Sequence, residues 1–341
     1  MKTEGKSTIM DLASRLGLDK STVSLALRGS SRISDKTRQR VRQAALELGY
    51  RPNLAARLLA SKSPQVVGLL LPGDLQGLRE EVTVRTIQGL ARGASAANMM
   101  LVVLAGQDLF EVGREGQGAG LQPDGLLVWG SVSANVAGAL HSPARPAVVL
   151  DPNDASYASY AGPAVRIDNA GGAAQIVSHL LEQGTERLLF VQADPNHLGH
   201  QQRWRGAREC WLASRSLDGL SFCCLDELTD SLLAAFVAGP NASIFCSNDL
   251  CAMEVWHRLA KAGVSVPGQV LLAGFDGDRS GGLIGLTTAL FDCDGLAQKG
   301  FELLTGLLKS PATAGEPVIL SVQMRPGLTT RRIAAQPPSS T

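Results

Sequence analysis

The sequence has no apolar run long enough to cross a membrane, because none of its uninterrupted apolar stretches reaches the ~18 residues that a spanning helix needs. Its first residues, MKTEGKSTIMDLASRL, lack the apolar core and small-residue cleavage site of a secretory signal. We therefore expect a cytoplasmic protein with no membrane partner.

Cysteine and histidine occur in no pattern that builds a metal site. None of the six cysteines forms a C-x-x-C pair or stands at zinc-finger spacing from histidine. The five histidines form no H-x-x-x-H motif, and His197 and His200 fall in a predicted loop without further obvious ligands. We expect no metal, disulfide or cofactor.

The sequence also lacks the common enzyme signatures. It contains no G-x-x-x-x-G-K-[ST] and no G-x-S-x-G motif. Gly116, Gly118 and Gly120 follow no predicted strand and therefore indicate a loop rather than a dinucleotide site. We predict that the protein is not an enzyme.

Charge is distributed very unevenly along the 341 residues, although the net charge is only +1. Residues 1–62 hold thirteen Lys and Arg against five Asp and Glu, a net charge of +8, and the remainder carries −7. A basic head on an acidic body is typical of a polyanion-binding module joined to another domain. The alternative is a merely solvated charged surface.

The basic head contains three predicted helices. Thr8 and Asp11 form a T-x-x-D cap before a helix whose apolar face is Ile9, Leu12, Ala13 and Leu16 and which ends at Gly17. A second helix, 20–28, should bury Val23 and Leu27. A third, 35–48, begins after Ser34 and should bury Val41, Ala45 and Leu48.

Two short helices joined by a glycine turn and braced by a third indicate a helix-turn-helix. The second helix of this motif enters the major groove of DNA, where short polar side chains at its N-terminal end reach base edges. The alternative is a three-helix bundle without DNA-binding activity, which shows the same periodicity.

The head resembles the headpiece of lactose/galactose-repressor-type (LacI/GalR) regulators. The resemblance is carried by the segments TIMDLA (8–13), GL (17–18), STVS (21–24), RIS (32–34), TR (37–38) and LGYRPN (48–53). It implies double-stranded operator DNA as partner, read at base edges by Lys20, Ser21 and Leu25 and held near phosphates by Thr8, Ser24 and Arg32. Leu25 departs from the family, which often has a polar or basic residue there.

Residues 51–62 form a predicted hinge. The segment NLAARLLAS is helix-favouring, but nine residues are too few for a stable isolated helix, so it should order only on DNA beside a partner copy. By resemblance, Leu59 is the wedge that enters the minor groove, and Asn53, Ala56, Arg57 and Lys62 flank it. The alternative is that Leu59 is ordinary linker packing.

Beyond residue 65, apolar runs alternate with helix-length segments. This order predicts parallel sheets covered by helices on both faces, arranged as two doubly wound lobes. The resemblance to the same family implies an α/β two-lobed periplasmic-binding-protein-like effector domain. The predicted strands are 66–71, 99–104, 125–129, 147–150, 188–191, 222–225, 243–246 and 270–275.

Five residues are candidates for binding a small molecule. Asp151, Asn248 and Asp276 follow predicted strands, Trp129 stands at the end of one, and Arg203 begins a predicted helix. Ligands bind outside the carboxyl ends of such strands, and these side chains suit a polar, polyhydroxylated molecule, although each could be a simple loop cap. The resemblance implies effector contacts at Asp151, Arg203, Asn248 and Asp276, with Trp129 at a further pocket position.

We therefore predict a helix-turn-helix headpiece (1–50), a hinge (51–62), a two-lobed effector-binding and dimerisation domain (63–332) and a disordered tail (333–341). The expected function is a homodimeric transcriptional regulator, a repressor, that binds a pseudo-palindromic operator and responds to a carbohydrate or related metabolite. The alternatives are an effector-independent regulator with a degenerate pocket and a small-molecule-binding protein with an incidental basic head.

Overall fold

The computed structural model describes residues 7–27, 29–50, 66–71, 80–105, 123–130, 132, 136, 140, 145–153, 155–157, 160–310 and 317–331. The chain divides into two compact units, residues 1–63 and residues 64–341. The second unit is called the body below. The predicted hinge contacts and the predicted tail (333–341) lie outside the described residues; the hinge contacts are Asn53, Ala56, Arg57, Leu59 and Lys62.

The headpiece contains the three predicted helices, α1 (Ile9–Leu16), α2 (Lys20–Leu27) and α3 (Asp35–Glu47). The predicted cap is confirmed: the Thr8 side chain accepts a hydrogen bond from the backbone N–H of Asp11, and the Asp11 carboxylate accepts one from the N–H of Thr8. Helix α1 ends at Gly17, whose φ of 63° is left-handed and suits glycine.

The headpiece core differs from the prediction at two leucines. The residues buried in it are Leu12, Ala13, Val23, Ala26, Val41, Ala44 and Ala45. Leu27 and Leu48 are only partly buried. Ala26, three positions after Val23, shares its helix face, and Leu48 is the C-cap of α3 rather than a residue of its core face.

The first lobe of the body is built on a six-stranded parallel sheet. Its strands in spatial order are β11 (Val318–Leu320), β5 (Ala164–Ile167), β4 (Ala147–Leu150), β3 (Gly125–Trp129), β1 (Val66–Leu71) and β2 (Met100–Ala105). Strands β1, β3 and β4 are buried at every residue, as expected for a parallel sheet covered on both faces. Helices α4 (Glu81–Ala96) and α10 (Cys293–Lys309) pack together beside it.

The second lobe repeats this arrangement with one antiparallel edge strand. Its strands in spatial order are β12 (Gln323–Arg325), β10 (Thr287–Leu290), β9 (Val270–Asp276), β8 (Ala242–Cys246), β6 (Arg187–Gln192) and β7 (Leu220–Cys224). Its helices are α5 (Asn169–Glu182), α6 (Leu198–Leu212), α7 (Asp230–Val237), α8 (Asp249–Lys261) and α9 (Arg279–Leu283). The prediction of two doubly wound lobes is confirmed.

The chain passes between the lobes three times. It leaves the first lobe after β5, returns between β10 and α10, and leaves again between β11 and β12. The first and third passages are joined by a hydrogen bond from the backbone N–H of Asp168 to the carbonyl of Leu320 (2.9 Å). Each lobe is therefore assembled from separate stretches of the sequence.

All eight predicted strands fall on observed strands, with ends that differ by no more than two residues. The four strands that were not predicted are β5, β10, β11 and β12, which have only three or four residues each. Runs this short carry too little periodicity to stand out from a loop.

Candidate functional site

The headpiece presents the predicted DNA contacts on its outer surface. Val23 and Ala26 anchor one face of α2 in the core. On the other faces, Lys20 and Ser21 are exposed, and Ser24 and Leu25 are partly exposed. Helix α2 thus keeps its apolar face against α1 and α3 while its N-terminal polar residues remain accessible.

The other two predicted headpiece contacts, Thr8 and Arg32, are exposed. The Thr8 hydroxyl is already engaged with Asp11, and the hydrogen bonds from Thr8 hold the pKa of Asp11 below its usual value. Arg32 forms no ion pair among the described residues, so its guanidinium can reach an external anion.

Some arginines of the headpiece bond other residues of the headpiece. Arg15 pairs with Glu47 at 2.7 Å. Arg40 donates to the carbonyl of Leu16 at 2.8 Å, and Arg38 donates to the carbonyl of Ser30, which fixes the loop after α2. These arginines brace the three helices, whereas the Lys20 and Arg32 side chains project outward.

In the body, Arg203 is the centre of a buried polar cluster. Its side chain lies on α6 and is only 4% exposed. Nε donates to Oδ1 of Asn169 (2.8 Å), Nη1 donates to the carbonyl of Ser247 (2.6 Å), and Nη2 pairs with Oδ1 of Asp276 (3.0 Å). The guanidinium also lies 3.7 Å from the centroid of the Phe275 ring. These contacts fix its position and orientation.

The carboxylates around Arg203 are poorly solvated. Burial raises the pKa of Asp151 to about 6, against the opposing effects of the Ile167 N–H and Arg203. Burial likewise raises the pKa of Asp276 to about 6, although the Arg203 ion pair lowers it. The positive charge of one guanidinium therefore does not fully offset the effect of burial on the carboxylates around it. Such groups readily accept hydrogen bonds from hydroxyl or amine groups that replace lost water.

Two of these carboxylates are attached to strained backbone. Asp151 directly follows β4 with a φ of 45°, and Asp276 ends β9 with a φ of 105°. Non-glycine residues rarely adopt positive φ values, and such strain is concentrated at functional sites. Strands β4 and β9 belong to different lobes, so the strained positions occur at the strand ends of both.

Asn248 is not brought into the Arg203 hydrogen-bond network. Its side-chain Oδ1 accepts from the backbone N–H of Cys251 (2.8 Å) and so caps α8. It lines a separate cavity of about 650 Å³ with Leu225 and Leu250. The sequence analysis left open that each strand-end candidate is a simple cap, and Asn248 is observed in that role.

Trp129 is also largely engaged by the protein. Its indole N–H donates to Oγ1 of Thr83 on α4 (2.9 Å), and its ring meets Phe291 edge to face at 6.1 Å between centroids. The side chain is 7% exposed. The predicted aromatic face therefore packs mainly into the first lobe.

Three further residues of this cluster are not among the five predicted effector contacts. Asn169 and Ser247 hold Arg203, and Asp249 is fully buried, accepting from Thr288 Oγ1 and from the backbone N–H of Asp278 (both 2.7 Å). Burial and the nearby Asp276 raise the pKa of Asp249 to about 8. Ser247 and Asp249 flank the predicted contact Asn248, whereas Asn169 follows β5, a strand that was not predicted. The sequence does not show which of these side chains points inward.

The described residues contain no group of three or more His, Cys, Asp or Glu side chains suited to hold a metal ion. Over the same residues, no helix combines the length and hydropathy that crossing a membrane requires. The cluster combines one fixed guanidinium donor with several carboxylate acceptors.

A helix-turn-helix unit joined to a two-lobed α/β unit with a buried polar cluster defines a DNA-binding transcriptional regulator. Residues 8–53 match the family described as bacterial regulatory proteins, lacI family, and residues 177–330 match the periplasmic binding protein-like domain. The maltose regulon regulatory protein MalI of Escherichia coli (strain K12) is 30% identical over 77% of this chain and 78% of its own.

The chain therefore belongs to the lacI family, which confirms the resemblance seen in its sequence. Its fold is similar to that of the lac repressor dimer solved with operator and the anti-inducer ONPF, with a TM-score of 0.72, 20% identity, and coverage of 96% of this chain and 99% of that one. It is also similar to the transcriptional regulator CelR in complex with cellobiose, with a TM-score of 0.64, 20% identity, and coverage of 95% and 100%.

Proposed function

We propose that this regulator is a cytoplasmic repressor without enzymatic activity, which binds a pseudo-palindromic operator as a homodimer and is controlled by a polar effector, a sugar or sugar-like metabolite. The observation that carries the effector proposal is the Arg203 cluster, in which a fixed guanidinium is surrounded by carboxylates with raised pKa values. The lac repressor structure, a dimer on operator DNA, supports the proposed assembly.

The proposed DNA contacts are those of the predicted headpiece and hinge. Lys20, Ser21 and Leu25 would face base edges, and Thr8, Ser24 and Arg32 would lie near phosphates. Their support is the accessibility of this surface. Within the proposed hinge (51–62), Leu59 would be the minor-groove wedge. The headpiece would then span 1–50 and the effector domain 63–332, followed by a disordered tail.

The sugar assignment is supported by the chemistry of the cluster. Carboxylates such as Asp151 and Asp276 accept hydrogen bonds from hydroxyl groups, and Arg203 retains N–H groups beyond the three bonds described. CelR was solved with cellobiose, and MalI is named for the maltose regulon. Asn248 would need its amide NH₂ group for the ligand, because its Oδ1 caps α8. Trp129 would contribute only a ring edge or part of a face.

One observation favours a second candidate, an effector-independent regulator. The three described bonds of Arg203 all go to acceptors in the protein itself. Donors that already bond acceptors of the protein gain less from a ligand, because binding then replaces those bonds instead of adding new ones.

A ligand screen separates the two candidates. Thermal unfolding of the full chain is measured with a panel of mono- and disaccharides, for the wild type and for Arg203→Ala. The proposal expects at least one sugar to raise the Tm of the wild type and to change operator affinity by about 5–150-fold, as is typical of allosteric coupling. Arg203→Ala should lose this response.

The matched control is Arg208→Ala, which removes an exposed arginine from the same helix. It should respond to the sugar as the wild type does. If no sugar stabilises the wild type, or if the hits stabilise Arg203→Ala equally, the effector assignment is wrong. Specific operator binding without any sugar response would then support the second candidate.

A further inference from the structure

Three cysteine thiols lie together in the core of the second lobe. Val191 of β6 is paired in the sheet with Cys223 of β7 on one side and with Cys246 of β8 on the other. Residues paired across parallel strands share a face of the sheet, and this is the face that α8 covers. Cys251 of α8 lies over the same row, with its Sγ 3.9 Å from the carbonyl oxygen of Val191. The three thiols therefore surround one residue of β6.

Cys246 and Cys251 are the pair in direct contact. Burial raises the pKa of Cys246 well above its usual value, and a hydrogen bond with the Cys251 thiol raises it further. Burial also raises the pKa of Cys223, to about 11, and there the effect of Cys251 is electrostatic. All six cysteines of the chain are free thiols in this structure, so the pair is in its reduced form.

Cys251 is the member of this pair that a small molecule reaches first. Although the side chain is buried, it lines the cavity of about 650 Å³ that Leu225, Leu250 and Met253 also line. Cys246 is fully buried on the strand beneath α8. A small oxidant in the cavity therefore meets the Cys251 sulfur, and the Cys246 sulfur is next to it.

The loop between the two thiols carries part of the Arg203 cluster. The carbonyl of Ser247 accepts from Arg203 Nη1 at 2.6 Å. Asn248 caps α8 by accepting from the backbone N–H of Cys251 at 2.8 Å, and the buried carboxylate of Asp249 follows it in the same loop. A movement of Cys251 toward β8 is therefore a movement of the loop that holds Arg203.

We propose that Cys246 and Cys251 form a disulfide when the protein meets a hydroperoxide, and that this bond loosens the polar cluster around Arg203. The Cys251 sulfur attacks one peroxide oxygen: an S–O bond forms, the O–O bond breaks, and the thiol proton leaves with the alcohol or water that is released. The Cys246 sulfur then attacks the sulfenic sulfur of Cys251, the S–O bond breaks, and the departing hydroxide takes the Cys246 proton to become water. The two thiols lose two electrons, and the peroxide gains them. Exchange with an external thiol restores the reduced pair.

The bond changes the loop because it shortens the distance between its ends. Two sulfurs in a disulfide lie about 2.05 Å apart, which is closer than two unbonded thiols approach. Closing residues 246–251 into a ring therefore draws the first turn of α8 toward the end of β8. The Ser247 carbonyl moves with the loop, and Arg203 loses part of its support. Weaker sugar binding by the oxidised protein follows, a step that rests on the proposed function, whereas formation of the disulfide does not.

The test maps the disulfide in the full-length protein treated with hydrogen peroxide. After free thiols are blocked, cleavage before aspartate places Cys246 in peptide 230–248, Cys251 in peptide 249–275 and Cys223 in peptide 218–225, so each pairing gives a different linked mass. The expected product joins the first two peptides, and a thiol titration in urea should lose two of the six thiols. Dithiothreitol should restore both.

Variants of the pair test its specificity. Cys251→Ser and Cys246→Ala should each lose the linked product, and the matched control Cys210→Ser, which removes a half-buried thiol of the same lobe, should keep it. Circular dichroism checks that each variant is folded, and the wild-type map is informative without any variant. The disulfide is refuted if peroxide leaves all six thiols free, or if Cys251 is joined to Cys223 or to a second chain.

Hydrogen exchange tests the effect on the cluster without a sugar. The backbone N–H of Ala193 donates to Ser247 Oγ at 2.9 Å, and that of Asp278 donates to Asp249 at 2.7 Å. Both amides should lose protection when the wild type is oxidised, and neither should do so in Cys246→Ala. A disulfide that leaves both amides protected overturns the link to Arg203. Because neither measurement needs a sugar or DNA, failure here is distinguishable from failure of the proposed function.

Discussion

Replacing Asp249 by asparagine should change how the stability of the body depends on pH. In the folded protein, burial and the nearby Asp276 raise the pKa of Asp249 from 3.8 to about 8. Between these values the folded state holds a proton that the unfolded chain has released. The free energy of unfolding therefore falls as the pH rises through this window, and it is highest at the acidic end.

The size of the effect follows from the pKa shift. One pKa unit corresponds to about 1.4 kcal/mol, so Asp249 alone should lower the free energy of unfolding by about 3 kcal/mol between pH 5 and pH 7. Asp151 and Asp276, with pKa values of about 6, act in the same direction with about 1 kcal/mol each.

His200 acts in the opposite direction. Burial lowers its pKa to about 2, so below pH 6.5 it takes up a proton only in the unfolded chain. Its contribution to the free energy of unfolding therefore rises by about 2 kcal/mol from pH 5 to pH 7 and offsets part of the fall caused by the three carboxylates. The slope of the wild type alone is consequently not diagnostic, whereas the difference between the wild type and Asp249→Asn is.

Urea unfolding at pH 5, 6, 7 and 8, followed by tryptophan fluorescence, measures this difference. All four tryptophans lie in the body, so the headpiece does not contribute to the signal. Asparagine at position 249 keeps one oxygen that can accept from Thr288, but it places an NH₂ group near the backbone N–H of Asp278. This second change lowers the free energy of unfolding by an amount that does not vary with pH. Asp218→Asn, at an exposed position, is the control and should keep the wild-type slope. If Asp249→Asn also keeps it, the reasoning about this buried carboxylate is wrong.

Three further predictions concern DNA binding and packing. Operator affinity should fall with salt with a slope of about −0.9 per phosphate contact, a loss of ~10³–10⁵ between 50 and 200 mM for six to ten contacts, and a flat titration would contradict phosphate recognition by the headpiece. Leu59→Ala should keep non-specific binding but lose specific affinity and DNA bending in a gel-shift and bend-angle assay, and unchanged values would make Leu59 a linker residue. Gly206→Ala should destabilise the body by about 1–3 kcal/mol in urea unfolding, because a methyl group would overlap the carbonyl of Ala170, whereas Gly306→Ala, which has open space, should be neutral or stabilising by up to ~1 kcal/mol.

The sequence predicted the fold well because its signals are strong and local. The capping pair Thr8 and Asp11, the turn at Gly17 and the fully buried strands each leave a readable pattern over a few residues. The short strands β10 and β12 leave no such pattern, because segments of three or four residues become extended only by pairing with their neighbours in the sheet.

The candidate site was less predictable, because its geometry depends on contacts between distant parts of the chain. Arg203 and Asp276 were identified by position, and the structure joins them. That Asn169 and Asp249 point into the cluster while Asn248 caps a helix depends on the local turn at each strand end, which residue types alone do not encode.

The three passages between the lobes have a consequence for synthesis on the ribosome. The first lobe begins with β1 at Val66, but its edge strand β11 ends only at Leu320. Its sheet thus remains incomplete until nearly the whole polypeptide has emerged, whereas the headpiece can fold as soon as α3 is free of the exit tunnel. A chain whose translation stops early would carry a finished DNA-binding unit attached to an unfinished lobe with exposed apolar strands, a natural target for chaperones and proteases.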